Sequence, residues 1–302
     1  MGNLGRLPAF LSPFRAKDHV GYGKKAFRLL ILLLICGGFM SWAAKNVEIA
    51  KFPYWTAKFS IMVIAHRGFS GAAPENTLAA FQKGIEIGSD MIELDVHLSR
   101  DGEIVVIHDE TLERTTNGKG MVADQTLQEL KRLVAGSSFG PAFAGEKIPI
   151  LREVLDLAKG RVLVNIEIKN PTHQRYSITE LAEKTLREVE KAGMIDKVIF
   201  SSFNPASLEW IEKKEPRAQT AFLFHRPWNS LRDIPGSQEY SVLNLRNIHL
   251  TREKVAELKK AGKRVNVYTV NPEEEIRKFV DWGVDGIITN YPDRLIKVLQ
   301  KP

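Results

Sequence analysis

The sequence predicts an α/β protein, a parallel (β/α)8 TIM barrel preceded by one N-terminal transmembrane helix. Three observations carry that expectation. From residue 61 onward, short β-branched runs alternate about eight times with amphipathic helical patterns, which is the order that builds a ring of parallel strands inside a ring of helices. The 302-residue chain is 44% hydrophobic, enough for one large core, and such barrels reach this length as a single domain. A stretch near the N-terminus is apolar all round and has basic flanks.

In chain order, residues 1–23 read as a basic tail, 24–44 as the span, 45–60 as a linker and 61–302 as the barrel, with an inserted segment at about 109–150. The formal net charge is +7, and its distribution decides its meaning. Residues 1–60 carry nine Lys/Arg against two Asp/Glu, whereas the rest of the chain carries 34 of each sign. The whole excess lies beside the most apolar run. That is a membrane-topology signal and argues against nucleic acid as a partner.

The uncharged part of the span, Leu29–Ala44, has 16 residues, or about 24 Å of helix at ~1.5 Å per residue. A hydrocarbon core measures ~30 Å, so Arg28 and Lys45 would have to snorkel to its edges. Upstream lie Arg6, Arg15, Lys17, Lys24, Lys25 and Arg28 against one Asp18. This bias places the N-terminus in the cytoplasm and the barrel outside it. Trp42, Phe52, Tyr54 and Trp55 suit the far membrane–water interface. The rival reading is a cleaved signal peptide, with Ser41-Trp42-Ala43 as its small-x-small site and a secreted barrel as its product. A buried core helix is the third reading, and the basic flanks at a chain end oppose it. Cys36 is the single cysteine, so no intramolecular disulfide can form.

The strand-like runs of the barrel are IMVIA (61–65), DMIELDVHL (90–98), EIVVIH (103–108), VLVNIEIK (162–169), KVIFSS (197–202), TAFLF (220–224), RVNVYTV (264–270) and GIITN (286–290). Between them come helix patterns such as ENTLAAFQKGIEIG, with a stripe of Leu78, Phe81 and Ile85, and ITELAEKTLREVEKAG, which closes on glycine. Two features disturb the count. Runs two and three are joined only by SRDG, which is too short for a parallel crossover and reads as a hairpin or irregular step. VLNL (242–245) is a further candidate strand, so eight or nine runs compete for the staves. In the insertion, Thr126 and Glu129 have capping-box spacing for a short helix.

Glu93 and Asp95 are two apart on a strand and therefore point to one face. Buried carboxylates aimed together repel unless a cation lies between them. Glu167 and Lys169 repeat the spacing. Three carboxylates from two strands form an all-oxygen site suited to Mg²⁺ or Ca²⁺. The alternative is an ion-pair cluster in which Arg67 and Lys169 neutralise the acids. The histidines favour the metal: His66 and His108 end their runs at the mouth where barrel active sites lie, and imidazole exchanges protons near neutral pH. Arg67 and Lys169 can grip phosphate oxygens, one as a planar fork and the other as a point charge. Together these residues make a set for cutting a phosphate ester with a divalent metal. Asn76 reads as a helix N-cap, His97 as peripheral, and Phe203 and Tyr268 as pocket wall or core aromatics.

The segments AHRGFSGAAPENTLAAF, ELDVHLSRDGEIVVIHDETLERTTNGKG, IPILREVLDL, IEIK, FSSFNP and YTVN…GVDGIITNYPD resemble the glycerophosphodiester phosphodiesterases, over about 62–294. The resemblance implies a (β/α)8 barrel laid out like the phosphatidylinositol-specific phospholipases C. It implies a divalent cation on Glu93, Asp95 and Glu167, an acid/base pair of His66 and His108, and phosphate contacts from Arg67 and Lys169. It also implies that the stretch after His108-Asp109 is the family's insertion. Two departures are mild: Tyr268 stands for the family's usual Trp, and Asn290 for its usual Asp. The implied activity is metal-dependent hydrolysis of glycerophosphodiesters to glycerol phosphate and an alcohol. The alternatives are a lysophospholipase D acting on membrane lysolipids and a catalytically silent, membrane-tethered binding module.

Overall fold

The computed structural model describes residues 57–136, 139–172 and 174–300. The basic tail, the expected span over 24–44 and most of the linker lie outside the described residues. Among the described residues, no helix is long and apolar enough to cross a membrane.

Among the described residues nine strands follow in chain order: β1 (Met62–Ala65), β2 (Met91–Leu98), β3 (Ile104–Val106), β4 (Leu163–Ile168), β5 (Val198–Ser202), β6 (Gln219–Phe224), β7 (Val242–Arg246), β8 (Arg264–Tyr268) and β9 (Gly286–Thr289). Eight of them pair in parallel in the order β1-β9-β8-β7-β6-β5-β4-β2, and the β1–β2 pairing closes the barrel. The ninth, β3, pairs antiparallel with β2, with Val96 opposite Val106. The SRDG link is therefore a hairpin, and VLNL supplies the eighth stave as part of β7.

The helices are α1 (Leu78–Glu86), α2 (Leu127–Arg132), α3 (Leu151–Ala158), α4 (Ile178–Ala192), α5 (Pro205–Lys214), α6 (Arg252–Lys260), α7 (Glu273–Asp281) and α8 (Pro292–Gln300). Local chemistry explains their limits. Ser177 opens α4 by accepting from the Glu180 amide at 3.1 Å, and Gly193 ends it. The inner face of α4 buries Leu181, Ala182, Thr185, Leu186, Val189 and Ala192, a helical stripe. The crossover from β6 to β7 departs from the helix-after-strand rule. Pro227, Pro235 and Gly236 interrupt it, and its one described helical element is a 3₁₀ turn over Leu231–Asp233. The expected stripe on α1 holds at Phe81, which is fully buried, but Leu78 is 37% exposed.

Hydrophobic packing occurs at three radii. Met62, Ile64, Met91, Leu163, Ile199, Ala221, Val242 and Ile288 fill the lower barrel lumen. A larger layer lies between sheet and helices, including Phe81, Leu94, Ile166, Phe200, Val255 and Leu295. Each such buried aliphatic side chain is worth about 1.5–3 kcal/mol relative to exposure. The insertion packs Val105, Ile107, Leu112, Val122, Leu130 and Ile148 into a third cluster. Its helix α2 starts at the expected capping box, with the Thr126 amide donating to Glu129 at 2.7 Å. Moving up the lumen by strand period two, the side chains turn polar: Glu93 beside Asn165, then Asp95 beside Glu167. That gradient puts charge at the C-terminal mouth of the barrel.

Candidate active site

His66 follows the last residue of β1, and the chain then turns sharply. Arg67 has φ +53° and Gly68 φ +76°. The turn aims the Arg67 amide at Glu93, to whose Oε2 it donates at 2.8 Å. A side chain at Gly68 would meet the Ala80 carbonyl carbon of α1 at 2.5 Å, so the His-Arg-Gly run needs glycine for space as well as for φ.

Glu93, Asp95 and Glu167 are buried, and each offers an oxygen within 4.8 Å of the others. Glu93 and Asp95 share one face of β2, as their two-residue spacing predicted, and Asp95 lies opposite Glu167 of β4. Burial, together with the Asp95 and Glu167 charges, raises Glu93 well above the ordinary glutamate range. Burial opposes ionisation of Asp95 too, but Lys169 and Arg67 outweigh it and hold that carboxyl well below its ordinary value. Lys169 Nζ lies 2.7 Å from Glu167 Oε1 and 3.4 Å from Asp95 Oδ1. Despite its burial, those two carboxylates raise its pKa. Arg67 reaches Glu75 through Nη1 at 2.8 Å and Asp95 through Nε at 3.4 Å. Asp95 Oδ1 is buried and accepts no hydrogen bond among the described residues. A buried carboxylate oxygen with no hydrogen bond, facing only the Lys169 ammonium at 3.4 Å and with two more carboxylates beside it, fits a hard divalent cation held by oxygen ligands.

Both imidazoles adjoin this cluster. His66 Nε2 is 4.0 Å from Glu93 Oε2, and Nδ1 is 2.6 Å from Asn290 Oδ1. Burial, with the Arg67 charge beside it, lowers His66 to about 4, so it is neutral at pH 7. His108 lies close enough to Asp95 to interact with it electrostatically. His108 Nδ1 lies 2.6 Å from Asp109 Oδ1, so the carboxylate accepts a hydrogen bond from Nδ1–H and leaves Nε2 as the exchanging atom. Arg114 then holds Asp109 through Nε at 2.5 Å and Glu75 through both terminal nitrogens, at 2.9 and 2.7 Å.

Phe203, just past β5, and Tyr268, at the end of β8, are half-buried and meet edge to face at 6.2 Å. His225 packs against Phe203 at 5.2 Å. These are residues of the strand ends, which favours the pocket wall over the core.

Two expectations are corrected. Asn76 is not the N-cap of α1: Thr77 is, accepting from the Ala80 amide at 3.2 Å. Asn76 instead adopts φ +57° and donates to Asp95 Oδ2 at 2.9 Å. Nor is His97 peripheral. It is 1% exposed, lies 3.1 Å from the His108 carbonyl through Nε2 and 2.9 Å from the Tyr176 hydroxyl through Nδ1. The site also takes in Glu75, Asp109 and Arg114, to which sequence pattern alone assigns no role. Asp109 was the most visible, as the neighbour of His108. The other two carry no local signal, because their partners are distant in sequence.

The model of the glycerophosphoryl diester phosphodiesterase family matches residues 66–294. The glycerophosphodiester phosphodiesterase of Caldanaerobacter subterraneus subsp. tengcongensis is 43% identical over 245 residues, covering 80% of this chain and 98% of that protein. The glycerophosphodiester phosphodiesterase of Bacillus subtilis is 32% identical over 296 residues, covering 90% and 97%. Among solved structures, an Oleispira antarctica phosphodiesterase in complex with the product sn-glycerol-3-phosphate superposes with a TM-score of 0.71 at 29% identity, covering 80% of this chain and 97% of that one. A glycerophosphodiester phosphodiesterase of Agrobacterium tumefaciens superposes with a TM-score of 0.67 at 30% identity, covering 78% and 99%.

Proposed function

The chain belongs to the glycerophosphoryl diester phosphodiesterase family and is a phosphoric diester hydrolase acting on glycerophosphodiesters; from that premise we propose that it works with one divalent cation and two proton-transferring histidines. The observation that carries this reading is the meeting of three buried carboxylates within 4.8 Å, flanked by Arg67, Lys169 and two imidazoles. Glu93, Asp95 and Glu167 would hold the cation, Mg²⁺ or Ca²⁺. When bound, it would supply Lewis-acid stabilisation of charge on the phosphate oxygens.

The chain's own residues do the rest. Arg67 and Lys169 bind the non-bridging phosphate oxygens and orient the diester. One of His66 and His108 takes a proton from the attacking hydroxyl, which belongs to water or to the neighbouring glycerol carbon. The other gives a proton to the departing alkoxide. Asp109 keeps His108 in one tautomer through that cycle. Attack by water gives glycerol phosphate and the alcohol directly; attack by the glycerol hydroxyl releases the alcohol and leaves a cyclic phosphate, which water, deprotonated by one histidine while the other protonates the opening ring oxygen, converts to glycerol phosphate. The Oleispira antarctica complex with sn-glycerol-3-phosphate supports this product for the present chain.

A charged mouth favours small deacylated diesters over the lysolipids of a lysophospholipase D, and the full proton-transfer set opposes a silent binding module. Placement of the barrel outside the cytoplasm, tethered by residues 24–44 or released after cleavage near Ser41-Trp42-Ala43, rests on the charge bias around that run. Mass spectrometry of the mature N-terminus separates the two.

The test is turnover of glycerophosphocholine and lysophosphatidylcholine by the full-length chain, before and after EDTA. Loss of turnover on chelation, restored by Mg²⁺ or Ca²⁺, is expected. Full turnover after complete stripping would end the metal role.

A further inference from the structure

Arg114 lies outside the groups that would touch substrate or cation. It comes from the insertion, five residues after Asp109, and two edges of its guanidinium join the two halves of the site. Nε is 2.5 Å from Asp109 Oδ2 and Nη2 is 3.0 Å from Asp109 Oδ1. Nη1 and Nη2 reach the two oxygens of Glu75, whose Oε1 also accepts from Arg67 Nη1 at 2.8 Å. A single side chain thus connects the carboxylate that orients His108 with the carboxylate that anchors Arg67.

We infer that Arg114 is a positioning residue for turnover: it locks Asp109 onto His108 Nδ1 so that Nε2 is held ready for proton transfer, while Arg67 keeps its own direct contacts with Glu75 and Asp95. The planar fork is essential to that role, because one point charge cannot grip two carboxylates in two-point fashion. Without Arg114, Asp109 rotates away from the imidazole, and Glu75 pairs with Arg67 alone. The defect therefore belongs to the chemical step rather than to binding. This rests on the proposed role of His108.

The experiment measures kcat and KM of the full-length chain with glycerophosphocholine and saturating divalent cation, for Arg114→Ala, Arg114→Lys, Asp109→Asn, the double variant Arg114→Ala/Asp109→Asn and His108→Ala. Changing an outer partner of this kind lowers activity about 10- to 100-fold. That loss is expected in kcat for Arg114→Ala, with KM within about threefold of the parent and little recovery in Arg114→Lys. If Arg114 acts through Asp109, the double variant is no slower than Asp109→Asn alone. Parent-like kcat in Arg114→Ala, a loss confined to KM, or multiplied losses in the double variant would overturn the inference. His108→Ala separates the two readings. Undiminished turnover there defeats the two-histidine mechanism itself, whereas a large loss there with none in Arg114→Ala defeats only the role of Arg114. The Arg114 side chain is 46% exposed, so truncation opens no core cavity. Should the alanine variant fail to fold, Arg114→Gln keeps the stem and carries the same comparison.

Discussion

Asn76 and Asp95 grip each other twice. Asn76 Nδ2 donates to Asp95 Oδ2 at 2.9 Å, and the Asp95 amide donates back to Asn76 Oδ1 at 3.4 Å. The loop before α1 thereby holds one carboxylate oxygen and turns the other, Oδ1, toward Lys169 and the neighbouring carboxylates. Only an amide of this length offers donor and acceptor together from a left-handed backbone, where asparagine is among the few tolerated residues.

Replacing Asn76 separates backbone from side chain. Asn76→Gly accepts φ +57° without strain and loses only the amide pair. It is expected to weaken divalent-cation affinity and turnover about tenfold, with a small change in Tm. Asn76→Ala adds strain to the same loss, so its Tm falls further. Cation titration followed by activity and thermal melts checks both. An Asn76→Gly chain with unaltered affinity and kcat would remove Asn76 from the site.

The barrel and the heart of the site were legible because they follow from periodicities. Period two put Glu93 with Asp95 and Glu167 with Lys169 on single faces, and the end of β1 placed His66 at the mouth; His108 follows the antiparallel β3, outside the ring of staves, and reaches the site through the β2–β3 hairpin instead. The supporting residues obey no such rule. Asn76 looked like a cap because Asn-Thr precedes a helical pattern, and both residues are good caps; tertiary demand from Asp95 decided for Thr77. His97 looked peripheral because it is far along β2, yet the β2–β3 hairpin brings the His108 carbonyl back to it. Arg114 and Glu75 are 39 residues apart, a separation that no local pattern reports.

Glu93 gives a prediction about the cation-free protein. Its carboxyl is pushed upward by burial and by the neighbouring Asp95 and Glu167 charges, which means that the ionised cluster is repulsive when no cation is present. Glu93→Gln keeps the shape and still accepts from the Arg67 amide. Stripped of metal, it is expected to melt at or above the parent's Tm. On adding Mg²⁺ or Ca²⁺ at 100 times Kd, the parent gains about 2.7 kcal/mol, on the order of 5 °C, and the variant gains far less. Equal cation-induced shifts in thermal melts of the two proteins would exclude Glu93 as a ligand.

Gly68 tests why the His-Arg-Gly run ends as it does. Gly68→Ala would place a methyl carbon 2.5 Å from the Ala80 carbonyl carbon, at φ +76°. Helix backbone cannot swing away as a flexible side chain can, so α1 or the turn has to shift. The expected loss is about 2–4 kcal/mol of stability, from overpacking and left-handed strain together. Turnover should fall as well, since the same turn aims the Arg67 amide at Glu93. Urea unfolding and kcat read the two effects; a parent-like midpoint would show that the turn has slack.

Asp109 sets an acid limit on stability. Hydrogen bonds from Arg114, then the pairing with His108, lower its carboxyl from 3.8 to about 2 against the opposing effect of burial. Because the folded value lies below the unfolded one, the folded state binds this proton less readily than the unfolded chain. The stabilisation is therefore complete above pH 4 and drains away as the pH falls from 4 to 2. Asp109→Asn cannot titrate there. The Tm difference between parent and variant should be constant from pH 7 to 5, shrink from pH 4 downward, and vanish near pH 2. Carboxylates with no contact to Asp109, His108 or Arg114 titrate alike in both proteins and cancel in the difference. A Tm difference that holds steady from pH 5 to pH 2 would mean that Asp109 is not the anionic partner of His108 and Arg114.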